Sequence, residues 1–98
     1  MLTMSRNEYF KASEFARHNK TILQNDKLCG CYRCLRIFPT HDINEYCLEG
    51  FLGNEELTAI CPYCKVDSLI GEGSEYPINV EFLRLMYGYA FAVGRKGE

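Results

Sequence analysis

The sequence predicts a small α+β fold: a zinc ribbon of two knuckled β-hairpins, flanked by an N-terminal and a C-terminal helix. Three observations predict it. Cys31-x-x-Cys34 and Cys61-x-x-Cys64 form two chelating pairs with 26 residues between them. "SRNE" at 5–8 opens one helical stretch, and "NVEFLRLMYGYAF" at 79–91 carries a second. The chain has 98 residues, 47% of them hydrophobic, which suits one domain with a modest core that a metal can staple. That domain spans 1–98, with 1–4 and 94–98 expected to fray.

Taken in order, Ser5 and Glu8 have the capping-box spacing, so a helix is expected from there to about Asn25, broken near Ser13. Phe15, His18 or Asn19, and Ile22 fall at helical spacing, with Leu23 alongside. "CLRIFPT" reads as a short strand ended by Pro39. "THDINEYCLEG" reads as a turn and then a strand around Glu45–Leu48, and "GFLGNEE" as a turn. "LTAI" leads into Cys61 as a strand and "VDSLI" leaves Cys64 as another, before a loop at "GEGSEYP". Asn79 then caps a second helix, with Ile78 and Leu83 placed as a hydrophobic staple. Phe82, Leu83, Met86, Ala90 and Phe91 give it an apolar face, and Gly88 within it is read as a point of close packing.

The two cysteine pairs carry the chemistry. Zinc takes four soft ligands in a tetrahedron at ~2.3 Å, and a two-residue spacer lets both thiolates of a pair reach one ion. Cys31, Cys34, Cys61 and Cys64 are therefore the expected ligands of one structural zinc, and the same four sulfurs also suit iron. Cys29 at a four-residue spacing from Cys34 closes a looser ring, and is read as a small buried hydrophobe or a thiol beside the site. Cys47 is read as a core residue. Asp67 and Ser68, just after the second pair, are placed to hydrogen-bond the sulfurs or to cap a turn. His18 and His41 are read as structural or solvated.

"CPYC" at 61–64 is also the active-site tetrapeptide of glutaredoxins, where the first cysteine caps a helix that lowers its pKa. Here "KVDSLIGEG" follows, which is β-branched and glycine-bearing and does not start a helix. A thiol redox protein is the weakest reading. A four-sulfur site has no open position for water, which disfavours catalytic zinc, and no enzyme is expected.

Charge is uneven along the chain. Residues 1–36 hold seven Lys/Arg against three acids, and residues 37–76 hold Lys65 alone against eight acids. The acidic middle disfavours a phosphate backbone as its partner. No apolar run approaches the ~20 residues of a membrane span, and the N-terminus lacks the apolar core of a secretory signal, so a cytoplasmic location is expected.

"CGCYRCLRIF", "TAICPYCKVDSLIGEGSEYPI" and "EFLRLMYGYAF" together resemble a family of small bacterial proteins labelled only as cytoplasmic proteins. The resemblance covers roughly residues 14 to 91, with "HN" at 18–19 fitting the family's first helix. It implies a cytoplasmic compartment and a zinc ribbon, and no established activity. The chain departs from the pattern at Lys65, where the family places Gly, and at Cys47 and Ala90, where it places Trp. Those departures imply a divergent relative, of host or phage origin.

The expected function is a protein-binding module of adaptor, inhibitor or immunity type. Its partner surface is placed on Asp42, Glu45, Glu49, Glu55, Glu56, Tyr87 and Tyr89. The alternative is a nucleic-acid-binding ribbon using Arg6, Lys11, Arg17, Lys20, Lys27, Arg33 and Arg36.

Overall fold

A computed structural model describes residues 4–48 and 57–92. The fold is small α+β, with short helices on small antiparallel sheets. Helix α1 (Arg6–Ser13) starts as its sequence predicts. The Glu8 amide donates to Ser5 Oγ, and the Ser5 amide donates to Glu8 Oε1, closing the capping box. Met4 does not fray: its carbonyl accepts the Tyr89 hydroxyl at 2.9 Å.

The long first helix is interrupted at greater length than the sequence suggests. After Ser13 the chain tightens into a 3-10 turn (Glu14–Ala16), Arg17 is extended, and His18 is left-handed at φ 50°. Helix α2 (Lys20–Gln24) then begins in a new direction. The break turns Asn19 inward, where it is 1% exposed. Asn19 Nδ2 donates to the carbonyls of Phe15 and Leu69, and Oδ1 accepts the Ala59 amide at 2.9 Å. Those bonds outweigh what a continuous helix would gain at this point, because each satisfies a group that is cut off from water.

Strands β1 (Leu28–Cys31), β2 (Ile37–Pro39), β3 (Tyr46–Leu48), β4 (Leu57–Ala59) and β5 (Leu69–Gly71) make two sheets. The first has the order β2-β1-β5 and the second pairs β3 with β4, all antiparallel. The first knuckle closes a hairpin between β1 and β2, as expected. The second does not: β4 pairs with β3 and β5 with β1, so the knuckle at 61–64 bridges two sheets. The reason is that β5 buries Leu69 and Ile70 on opposite sides of the three-stranded sheet, which a free-standing hairpin on β4 would not achieve.

Alternation along β1 sorts the core onto these two sides. Cys29 and Cys31 lie with Leu23, Phe38, Ile43, Ala59, Cys61 and Leu69. On the other side, Ile70 lies with Ala12, Ala16, Tyr32, Phe82, Leu83 and Met86. Helix α3 (Val80–Tyr87) supplies the last three, capped by the Asn79 side chain, which accepts the Phe82 amide at 2.8 Å. Its close approach is made at Gly30, where an added Cβ would meet Leu83 Cδ1 at 2.9 Å.

Gly88 is not a packing glycine. A Cβ there would meet nothing within 4 Å, and the residue instead begins the π-helical turn Gly88–Ala92 that ends α3. A 3-10 turn at Thr40–Asp42 follows β2, and another at Glu72–Ser74 shapes the loop after β5. The turn expected at 50–56 lies outside the described residues, as do 1–3 and 93–98. Among the described residues, no helix is long and apolar enough to cross a membrane.

Candidate metal centre

Each knuckle is built the same way from its backbone. The amide of Cys31 donates to the Arg36 carbonyl and that of Leu35 to the Cys31 carbonyl; Cys61 pairs likewise with Val66, and Lys65 with Cys61. The amides of Arg33 and Tyr63 each point at the first sulfur of their own knuckle, at 3.4 Å. Both turns close through a left-handed residue, Leu35 at φ 67° and Lys65 at φ 66°. The side chain at 65 therefore occupies a conformation that glycine adopts without cost.

The two turns face each other and bring four sulfurs together. Cys31, Cys34, Cys61 and Cys64 place their Sγ atoms within 4.8 Å of one another. Cys31 and Cys64 are 3.5 Å apart across the site, and Cys34 and Cys61 are 3.8 Å apart. A tetrahedral ion with sulfur ligands at ~2.3 Å would set its sulfurs ~3.8 Å from one another, so the cluster has the dimensions of a four-thiolate shell. Cys31 and Cys61 are fully buried, while Cys34 and Cys64 are half-exposed.

The electrostatics ask for a cation. Burial pushes the thiols of Cys34 and Cys64 up, and the neighbouring sulfurs add to the effect in both. Burial also opposes ionisation of Cys31, yet the Ser68 hydroxyl and the amides of Cys34 and Arg33 outweigh it and bring that thiol below its ordinary range. Cys31 is thus the easier of these thiols to ionise, and a divalent cation would supply the charge that Cys34 and Cys64 need.

Cys29 stands apart. It is fully buried, its Sγ donates to the Phe38 carbonyl at 3.7 Å, and burial pushes its thiol up to about 12. It behaves as a small core residue and does not join the four. Cys47 lies half-buried on β3, opposite Thr58. Ser68 reaches the cluster, with Oγ 3.1 Å from Cys31 Sγ, whereas among the described residues no hydrogen bond joins Asp67 to a sulfur. His18 uses its amide on Thr58 Oγ1, and His41 is an exposed neighbour of Asp42 at 3.6 Å.

Four of the residues expected to form a partner surface lie among the described residues, each with a neighbour of its own. Asp42 accepts the Tyr63 hydroxyl at 3.0 Å, and Glu45 pairs with Lys65 at 3.3 Å, both beside the second knuckle. Tyr87 lies under the Arg33 guanidinium at 5.8 Å, and Tyr89 stacks on Tyr9. Glu49, Glu55 and Glu56 lie outside the described residues. Sequence reasoning missed the role of Asn19, whose bonds to Leu69 and Ala59 hold the helical break to both sheets while a third closes on Phe15. Its helical spacing with Phe15 and Ile22, in a stretch otherwise rich in polar residues, was the available signal.

Comparison of the chain with protein-family models, with curated proteins and with solved structures finds no match.

Proposed function

We propose that this chain is a non-enzymatic protein-binding module folded around one structural zinc, held by Cys31, Cys34, Cys61 and Cys64. The observation that carries the metal part is the cluster of four sulfurs within 4.8 Å of one another. Four thiolates complete the shell of a tetrahedral ion, so the zinc supplies folding energy and no position for substrate. Zinc prefers this soft ligand set, and the protein works in a reducing compartment where the thiolates persist.

Surface chemistry supports a protein partner over a nucleic acid. Leu28 and Ile37 lie on the same side of neighbouring strands β1 and β2 and remain 40% and 38% exposed. Three basic side chains lie over aromatic rings of the chain itself: Arg33 over Phe91, Arg36 over Tyr63, and Lys20 over Tyr46. The net charge is already −2, and a four-thiolate zinc centre makes it more negative.

The test is binding by the zinc-loaded protein. A module of this kind retains no single-stranded DNA or RNA oligonucleotide at ordinary salt, and it elutes with a stoichiometric protein partner from its own cells. Oligonucleotide binding that weakens steeply as salt rises would favour the basic-surface alternative. Rapid alkylation of Cys61 in the native protein at neutral pH, before any chelator is added, would favour thiol redox chemistry.

A further inference from the structure

The two knuckles match in backbone but differ in what stands over their sulfurs. Counting from the first cysteine of each, Ser68 in the second corresponds to Phe38 in the first. Phe38 packs edge-on against Tyr63 and carries no side-chain donor. Ser68 is 2% exposed, and its Oγ lies 3.1 Å from Cys31 Sγ, across the site from its own knuckle. It is held there on both sides. Its carbonyl accepts the Tyr32 amide at 3.1 Å, and Leu69 next to it pairs with Cys31 in the sheet.

We infer that Ser68 is a positioning residue of the metal centre, donating its hydroxyl hydrogen to the Cys31 thiolate. This rests on the zinc reading above. A metal-bound thiolate has no proton to give, so the serine must be the donor in the loaded site. Four thiolates around one divalent ion carry an excess of negative charge in a buried place, and each fixed donor offsets part of that cost. Cys31 receives three such donors, from Ser68, Arg33 and Cys34, so it is the sulfur whose charge is most fully compensated. The hydroxyl thereby makes the four sulfurs unequal and tightens the hold on the metal.

Cobalt(II) is the probe, because its sulfur-to-metal charge-transfer absorption reports on sulfur electron density. Ser68→Ala is expected to move that absorption to lower energy, since a thiolate without its donor gives up an electron more easily. The same variant is expected to bind zinc about tenfold more weakly in chelator competition. Ser68→Thr, which keeps the hydroxyl, should restore the spectrum even where its extra methyl lowers stability. Ser74→Ala removes a buried hydroxyl that bonds the Gly71 carbonyl, so it should lower stability without moving the absorption. Cobalt bound by Ser68→Ala with an unchanged spectrum and unchanged zinc affinity overturns the role of Ser68 alone. Wild-type protein that takes up neither cobalt nor zinc overturns the metal reading and this inference together.

Discussion

Leu35 and Lys65 occupy the same step of their knuckles, with φ of 67° and 66°, and neither side chain favours that conformation. Left-handed backbone costs a non-glycine residue roughly 1 kcal/mol. Lys65 contributes little in return, since its pair with Glu45 is well exposed. Lys65→Gly is therefore expected to stabilise the metal-loaded protein by about 1 kcal/mol, read as a higher denaturation midpoint at unchanged metal content. Asn19 behaves in the opposite sense. Asn19→Ala removes three core hydrogen bonds and leaves the Ala59 amide unpaired, for an expected loss of about 3 kcal/mol. Asn19→Asp should be worse, because it would face a buried carboxylate with the carbonyls of Phe15 and Leu69. An aspartate variant as stable as wild type would contradict that assignment of the amide.

At the scale of elements, what was legible in the sequence was local. Ser5 with Glu8, and Asn79 ahead of α3, announce helix starts because a cap is satisfied within three residues of itself. Each Cys-x-x-Cys likewise specifies its own turn. The partner of β5 was not legible: its bonds run to β1, some forty residues away, and nothing near Leu69 distinguishes that edge from β4. Gly88 misled for a similar reason, since a helical glycine marks close contact or a change of helix type with the same letter. The loop after β5 is tied to β1 by Glu72, whose carboxylate accepts the amides of Lys27 and Leu28 at 3.0 Å. Those two bonds hold its pKa below the ordinary range. A lowered folded pKa means stability present above the unfolded value, about 4.3, and lost as pH falls through the folded one. Glu72→Gln should therefore show a deficit that is constant in urea titrations at every pH from about 6 to 8. A deficit that changes across that range would contradict the assignment.

For the whole molecule, the four-sulfur site sits where β1, the β4–β5 connection and the first hairpin meet, so a metal held there would join both sheets. Structural zinc contributes on the order of 10–16 kcal/mol, as much as or more than the ~5–15 kcal/mol that small domains have in total. Cys31→Ser and Cys64→Ser are accordingly expected to lose the metal and the fold together. Cys29→Ser and Cys47→Ser should keep one metal per chain, because neither sulfur belongs to the cluster. The four-cysteine cluster was readable from spacing alone, as it requires only that two turns meet. The neighbours of Asp42, Glu45, Tyr87 and Tyr89 were not, because the first three meet knuckle residues and Tyr89 meets Met4 only once distant parts of the chain have folded together.

The most direct test of the central claim is a native mass spectrum of gently purified protein, taken before and after chelation. One zinc per chain is expected, with the charge distribution of an unfolded protein once the zinc is removed. A metal-free protein that stays compact, or one carrying a disulfide among these cysteines, would contradict it.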